Sequence, residues 1–361
     1  MGGLLAVVCV AAIAFANAPA RGDRLQPRLV REVRTGLRLA QTDFGWRGWL
    51  APRRGARRWA PIWETVHVLD AASGLAAATR LPADRSRLAA LARAAEGYWN
   101  PRLAGGVGGY SSNYRGVNPR TQNWFDDNGW LGLAFLTAYD VTHDGRYLRD
   151  AKRALAYMLA SGWDSRAGGI WWTSAHDFKA AESNVTAAAL AARLHDDTGD
   201  QTFVRDAQSV VDWTNANLFD TGTGLYVNRR PGGVPMSYLQ SPMIDALARL
   251  CRSDGLYCDR VYPLVKATLA HFQVVRQGPP FDAMYIRFLV DALQIVHDRR
   301  LVDVARRNAL RALDRARDAD GLYTHDWDGG SRGARPGALQ THGASLEALA
   351  WTAGAIELRL G

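Results

Sequence analysis

Apolar residues recur at intervals of three and four along most of the chain, which is the spacing that places them on one face of an α-helix. Twelve segments carry this pattern, and no run of alternating apolar and polar residues is long enough to build a sheet. The predicted helices are residues 25–41, 60–79, 84–100, 125–141, 146–162, 180–197, 202–217, 237–252, 258–277, 281–298, 301–317 and 339–360. Short β-like pieces such as residues 168–172 occur only in connections. The pattern therefore predicts an all-α protein.

The connections between these helices alternate between two types. Short polar turns with Gly, Pro or Asp occur at residues 81–84, 142–145 and 197–200. Long connections rich in Gly and aromatic residues lead into helices that begin near residues 60, 125, 180, 237, 281 and 339. Six helical hairpins with this alternation predict a closed (α/α)6 toroid, whose inner helices begin at one face beneath the long loops. An open helical solenoid is the alternative, and Gly-aromatic loops favour the toroid because they suit a ligand cleft.

Composition and charge exclude several classes of protein. The chain has 361 residues, 48% of them hydrophobic, with 13 Trp and 3 Cys, so it is neither disordered nor a disulfide-built miniprotein. No internal apolar run is long enough for a polytopic membrane protein. The net charge is +9, and because the basic residues are spread along the chain, we expect no nucleic-acid binding but a preference for anionic surfaces such as a cell envelope.

The first twenty residues are interpreted as a signal peptide. Residues 4–15 are apolar, and Ala18 and Ala20 offer the small side chains of a cleavage site, although no Lys or Arg precedes the apolar run. A buried first helix or a retained membrane anchor are the alternatives. We expect a secreted or envelope-associated protein in which residues 21–361 form one domain. Cys251 and Cys258 then remain, and a disulfide between them is favoured over two buried or free thiols.

The strongest candidate chemistry lies at Asp126 and Asp127, which open a predicted helix directly after an aromatic-rich loop. A helix N-terminus favours an ionised carboxylate, which suits a nucleophile. A like charge beside a second carboxyl raises the pKa of that group, which suits a general acid. Glycosidic bond cleavage needs this combination. The alternative is that the two aspartates only cap the helix. The same dipeptide at residues 196–197 closes a helix without aromatic neighbours and is interpreted as a solvated turn.

Further candidates for a sugar site are aromatic residues, whose rings stack on the apolar faces of sugars, and polar residues that begin inner helices. For the polar residues, a cap or a satisfied buried group is the alternative. The predicted substrate-binding residues are Trp124, Asn128, Trp130, Trp171, Trp172, Glu182, Asn184, Tyr238 and Gln240.

Other catalytic classes find little support in the sequence. It contains no GxSxG, Walker A or HExxH motif, and its eight His have no metal-ligand spacing, so no metal and no cofactor are expected. A sugar epimerase would want paired His bases, and His342 has no convincing partner. A non-catalytic glycan-binding protein that uses the same cleft, and a purely structural solenoid, stay open.

Residues 124–134, WFDDNGWLGLA, resemble glycoside hydrolase family 76, the α-1,6-mannanases. A second match is residues 168–172, GGIWW, followed by Lys179 and residues 182–184. A third is residues 237–242, where the family usually shows Tyr-x-Asn-Gln-Gly and this chain departs with Leu-Gln-Ser-Pro at 239–242.

The resemblance implies an (α/α)6 fold and endo-cleavage of α-1,6-linked mannose backbones with retention of configuration. It implies Asp126 as the nucleophile and Asp127 as the acid/base residue, without a cofactor. The expected substrate is an α-mannan polysaccharide or oligosaccharide, and the expected state is a monomer. Transfer of the glycosyl group to a sugar acceptor, instead of water, stays open.

Overall fold

The computed structural model describes residues 25–116, 118, 120–329 and 338–357, so the predicted signal peptide at residues 1–20 lies outside the described residues. Within them the α-helices are α1 Leu25–Asp43, α2 Ile62–Thr79, α3 Pro82–Ala95, α4 Phe125–Thr142, α5 Gly145–Tyr157, α6 Ala181–Thr198, α7 Gln201–Leu218, α8 Ser237–Asp254, α9 Cys258–His271, α10 Pro279–Val296, α11 Arg299–Arg315 and α12 Leu339–Glu357. Three antiparallel hairpins lie in the connections: β1 Gly45–Trp46 with β2 Trp49–Leu50, β3 Trp99–Asn100 with β4 Gly109–Tyr110, and β5 Phe219–Asp220 with β6 Leu225–Tyr226. All twelve predicted helices are present.

The even-numbered helices form a closed inner ring. Each packs on the next in chain order, and α12 packs back on α2, which closes the ring. The odd-numbered helices lie outside it, and α1 packs on α12, so that the two ends of the described chain form the sixth helical pair. These contacts confirm the predicted (α/α)6 toroid and exclude the open solenoid.

The two helix sets differ in the pattern of their sequences. Inner helix α6 is buried around nearly its whole circumference, with alanine at five of the six positions 187–192. Outer helix α11 buries only one stripe, which includes Leu301, Val304 and Ala305, and most of its arginines face outward. An all-round apolar helix needs neighbours on every side, whereas an amphipathic helix needs one, and this difference separates the two layers.

The short turns lie at the end of the ring where the inner helices finish. His143, Gly199 and His297 adopt left-handed backbone conformations after α4, α6 and α10. In each case the next residue is an aspartate, and its carboxylate accepts a hydrogen bond from the second backbone N–H of the following outer helix. This repeated Asp cap reverses the chain within a few residues. The inner helices therefore all begin at the opposite end, beneath the long loops.

Two helices end earlier than their periodicity predicts. Helix α3 stops at Ala95, and residues 96–100 form a 3-10 turn and strand β3. Helix α9 stops at His271, because Asn308 of α11 accepts from the backbone N–H of Val275 at 3.1 Å and fixes the following loop. In both places a partner distant in sequence satisfies the backbone, which periodicity alone cannot reveal.

Two sequence predictions concern the end of the ring that carries the short turns. Cys251 and Cys258 form a disulfide that links α8 to α9, as predicted. Asp196 bonds to Arg249 at 2.5 Å and to Arg252 at 2.6 Å and does not fit the predicted solvated turn. Asp197 fits it in exposure only, because burial and the charge of Asp140 raise the pKa of its carboxyl to about 7.

Across the described residues, no helix combines the length and the apolar character needed to cross a bilayer.

Candidate active site

A cleft of about 570 Å³ opens at the end of the ring where the inner helices begin. Seven of the residues predicted from sequence line it: Trp124, Asp126, Asp127, Trp130, Trp172, Glu182 and Tyr238. Carboxyl groups and aromatic rings therefore face the same space. Such a surface can hold sugar rings by stacking while acids reach the bonds between them.

The first turn of α4 carries the two adjacent acids. The residue that precedes the helix is Trp124, and its side chain makes no capping bond, so neither aspartate occupies the N-cap position. Two long loops fix this helix end. Trp172 accepts at its backbone oxygen from the N–H of Phe125 at 2.9 Å, and the Ser112 hydroxyl accepts from the N–H of Trp124 at 3.3 Å. The aspartates are thus held at the mouth of the ring by contacts that do not use their own carboxyls.

Few groups stabilise a negative charge on the carboxyl group of Asp126. Its Oδ2 accepts from the indole N–H of Trp172 at 3.2 Å, while its Oδ1 is buried without a partner. Burial raises the pKa of Asp126 well above its usual value, and the charges of Asp127 and Glu182 raise it further. The hydrogen bond from Trp172 acts in the opposite direction.

Asp127 is 7% exposed, and burial raises its pKa to about 7, against a smaller opposing effect of the Ser112 hydroxyl. Adjacent acids this close titrate as a pair, so protons are shared between them. The helix N-terminus was expected to keep one of the two ionised. Burial outweighs that effect for both aspartates, and the pair retains a proton near neutral pH.

Glu182 and Tyr238 are the second residues of α6 and α8, the position that Asp126 has in α4. The Tyr238 hydroxyl donates to Glu182 Oε1 at 2.5 Å. Burial raises the pKa of Glu182, and this hydrogen bond lowers it. One helix position therefore supplies three polar groups from three neighbouring inner helices to one cleft.

The fourth residues of the same helices, Asn128, Asn184 and Gln240, do not reach the cleft. All three are fully buried, and each amide both accepts from and donates to the backbone of one loop residue. Asn128 holds Tyr110 at 2.8 and 2.9 Å, Asn184 holds Ile170 at 2.8 and 3.0 Å, and Gln240 holds Tyr226 at 2.9 and 2.8 Å. The structure thus places these three predicted sugar ligands behind the cleft wall, where they fasten loops to helices.

Trp171 and Trp172 lie on opposite sides of their extended segment. Trp172 lines the cleft, whereas Trp171 stacks on His176 at 5.4 Å with the Lys179 ammonium 4.8 Å from its ring. The preceding Gly169 has a φ of +77°, and a Cβ there would lie 2.3 Å from the Trp213 ring. Only glycine fits this turn, which explains the Gly-Gly-Ile-Trp-Trp motif as the device that delivers Trp172 to the cleft.

Five cleft residues were not predicted from the sequence: Pro61, Trp63, Ser112, Asn113 and Phe281. Trp63 is the second residue of α2, so the helix register that marks Asp126 and Glu182 could have found it. Ser112 and Asn113 follow the Gly-rich loop at residues 105–110, and only the folded chain shows that this loop ends at the cleft.

The described residues contain no group of His, Cys, Asp and Glu able to hold a metal ion. His342 is buried and bonds to the backbone oxygen of Gly36 at 2.9 Å and the backbone N–H of Tyr323 at 3.2 Å. It therefore has a structural role and gives the epimerase alternative no base.

Comparisons with known proteins agree with this geometry. The sequence model of glycosyl hydrolase family 76 matches residues 106–350. The chain is 27% identical over 272 residues to a mannan endo-1,6-α-mannosidase, DCW1, of Candida glabrata, a match that covers 61% of this chain and 60% of that protein. The chain thus spans less than two thirds of that relative's length.

Two solved structures share the fold. An α-mannanase of family 76 from Bacteroides thetaiotaomicron superposes with a TM-score of 0.78 at 18% identity, over 92% of this chain and 96% of that one. An α-1,6-mannanase from Salegentibacter sp. HEL1_6, in an inactive variant with two adjacent aspartates replaced by asparagine and in complex with α-1,6-mannotriose, has a TM-score of 0.74 at 18% identity, over 91% and 99% of the chains.

Proposed function

Because the chain belongs to glycosyl hydrolase family 76, we propose that it is a retaining endo-α-1,6-mannanase that acts on α-mannan through Asp126 and Asp127. The observation that carries the proposal is the position of these two adjacent acids in an aromatic cleft, held by loops on either side. The C. glabrata relative bears the name of this activity, and the Salegentibacter enzyme binds α-1,6-mannotriose after its own adjacent aspartates are replaced.

The proposed reaction proceeds in two steps. Asp127 gives its proton to the glycosidic oxygen while Asp126 attacks the anomeric carbon, so the old C–O bond breaks and a glycosyl ester on Asp126 forms. Asp127, now ionised, then takes a proton from water, whose oxygen attacks the anomeric carbon and releases Asp126. Each step inverts the anomeric centre, and two inversions retain the configuration.

The electrostatics of the cleft supply the proton that this reaction needs. Two negative charges on adjacent buried carboxyls repel each other and lack solvation. A pair that carries one proton is therefore the favoured state near neutral pH. Burial and the charges of Asp127 and Glu182 raise the pKa of Asp126, and the indole N–H of Trp172 opposes this increase. The division of roles follows the family motif, and the first step requires that the shared proton lies on Asp127 when the sugar is bound.

The deciding experiment incubates the protein with α-1,6-mannan, α-1,4-glucan and β-mannan in parallel and sizes the products. We expect oligosaccharides from α-1,6-mannan alone, and NMR of fresh product should show the α-anomer first. Asp126→Asn and Asp127→Asn should each lower turnover at least about 10³-fold with an unchanged circular dichroism spectrum. Asp197→Asn, at the exposed opposite end of α6, is the matched control and should keep full activity.

The products also separate the alternatives. Longer chains formed from an added acceptor would indicate glycosyl transfer by the same acid pair. Tight mannan binding without any product would indicate a glycan-binding protein, and full activity in either aspartate variant would refute the assignment of the acids.

We also propose that the protein works at the cell envelope or outside the cell. The Cys251–Cys258 disulfide supports this, because such bonds persist in oxidising compartments. Arg53, Arg57 and Arg58 are exposed on the loop that leads to the cleft residue Pro61, where they favour anionic envelope polymers. Cell fractionation with thiol alkylation tests the location, and recovery from the cytosol with both cysteines free would contradict it.

A further inference from the structure

Glu182 gives the cleft a third carboxyl beside the acid pair. It and Asp126 have the same position on α6 and α4, which pack directly on each other. The two helices approach closely one turn further along, since a Cβ on Gly129 of α4 would lie 2.1 Å from the Thr186 hydroxyl of α6. The charge on Glu182 is accordingly one of the groups that act on Asp126.

No Lys, Arg or His lines this cleft among the described residues. The charged groups of the loop before α6 are engaged elsewhere: Lys179 pairs with Asp164 at 2.8 Å, Asp177 accepts from the Thr173 hydroxyl at 2.8 Å, and His176 stacks on Trp171. From α8 the group that faces Glu182 is the Tyr238 hydroxyl, and from α4 the groups are Asp126 and Asp127. Three acids therefore share one space without a compensating cation, and they cannot all be ionised together.

The hydrogen bonds decide which of the three carries the charge. Glu182 accepts a hydrogen bond from the phenol of Tyr238 at 2.5 Å, and a hydrogen bond donated to a carboxylate favours its ionised form. Asp126 receives only the longer bond from Trp172, at 3.2 Å, and has one oxygen buried without a partner. The geometry favours charge on Glu182 and a proton on the pair.

We propose that Glu182 is a positioning residue whose charge, fixed by Tyr238, holds one proton on the Asp126–Asp127 pair at neutral pH, so that the pair carries the proton needed for cleavage before the sugar binds. The proposal rests on the proposed function. It differs from the prediction that Glu182 is a sugar ligand. Loss of a sugar ligand weakens substrate affinity, whereas loss of the Glu182 charge changes the pKa of the Asp126–Asp127 pair.

The pH profile of kcat/KM on α-1,6-mannan separates these two roles. Removal of a negative neighbour lowers the pKa of the pair, so Glu182→Gln should move the basic limb of the profile to lower pH by about one unit, with KM changed less than about threefold. Tyr238→Phe should move it in the same direction by less, since Glu182 then holds its charge less well. Trp172→Phe removes a donor to Asp126 and should move the limb to higher pH. A raised KM with an unmoved limb in Glu182→Gln would overturn the proposal.

Carboxyl NMR of the empty protein tests the same effect without turnover. With Asp labelled at its carboxyl carbon, and signals assigned through Asp126→Asn and Asp127→Asn, the pair should titrate about one pH unit lower in Glu182→Gln than in the unmodified protein. An unchanged titration would refute the role of Glu182. If the unmodified protein cleaves no mannan, the proposed function fails while this titration still decides the coupling.

Discussion

Single residues in the first turn of an inner helix have roles set by their position. The second residue faces the cleft in α2, α4, α6 and α8, where it is Trp63, Asp126, Glu182 and Tyr238. The fourth residue points to the preceding loop, and in α4, α6 and α8 its amide satisfies both backbone groups of one loop residue. Two steps along a helix rotate a side chain by about 200°, which is why a polar residue this near to a catalytic one can be purely structural.

We expect Asn128→Ala to destabilise the protein by about 2–4 kcal/mol, because the buried N–H and C=O of Tyr110 lose their partners. Asn113→Ala is the matched control: Asn113 is exposed in the cleft, so its loss should change the free energy of unfolding by less than about 0.5 kcal/mol. Denaturant unfolding measures both. A stable Asn128→Ala protein with a raised KM would instead make Asn128 a sugar ligand.

At the scale of elements, the long loops position the chemistry and the short turns only reverse the chain. The loop before α6 reaches the cleft through Gly168 and Gly169, which pack their backbone against the indole of Trp213. The turn after α6 uses Gly199 in the same left-handed conformation, but a Cβ there meets open space. The two sites thus need glycine for different reasons, one for conformation and contact, the other for conformation alone.

This difference predicts unequal effects of one substitution. Gly169→Ala should lower the free energy of unfolding by about 2–3 kcal/mol and reduce kcat at least tenfold, since the loop must shift and carry Trp172 with it. Gly199→Ala should cost about 1 kcal/mol and leave kcat unchanged. Denaturant titration and steady-state kinetics check the pair, and equal effects on kcat would show that the loop does not position Trp172.

At the scale of the whole molecule, the closed ring buries ionisable groups that water would otherwise solvate. Burial raises the pKa of Asp70, Asp127 and Asp282 to about 7 and lowers that of His67 to about 3. Asp70 lies 3.2 Å from Arg287, and His67 lies 2.6 Å from Glu347, so several of these groups meet inside the ring. Closure of the ring therefore makes stability depend on pH.

We expect the free energy of unfolding to fall as pH rises. An acid whose pKa is raised by folding stabilises the folded state fully below its unfolded pKa, near 4, and loses that contribution as pH rises to its folded pKa, near 7. His67 acts in the opposite sense between about pH 3 and 6.5, but the raised acids outnumber it.

Denaturant unfolding between pH 5 and pH 8 should therefore show a loss on the order of 3 kcal/mol. Asp282→Asn should reduce the slope, because it removes one of the acids while its side-chain oxygen can still accept from Gln277. A stability that is flat or rises over this range would show that these acids are ionised in the folded protein.

Sequence by itself determined the twelve helices, the closed ring, the Cys251–Cys258 pairing and the pair of acids with most of their aromatic neighbours. These follow from local patterns: apolar periodicity, Asp and Gly at turns, and motifs that sit together in the chain. Tertiary structure decided which first-turn residues face the cleft, where α3 and α9 end, that Trp63 and Phe281 join the site, and that Asn128, Asn184 and Gln240 lie behind it. It also decided that both aspartates have raised pKa values, since burial depends on neighbours from the whole ring and not on the two residues beside each other in the chain.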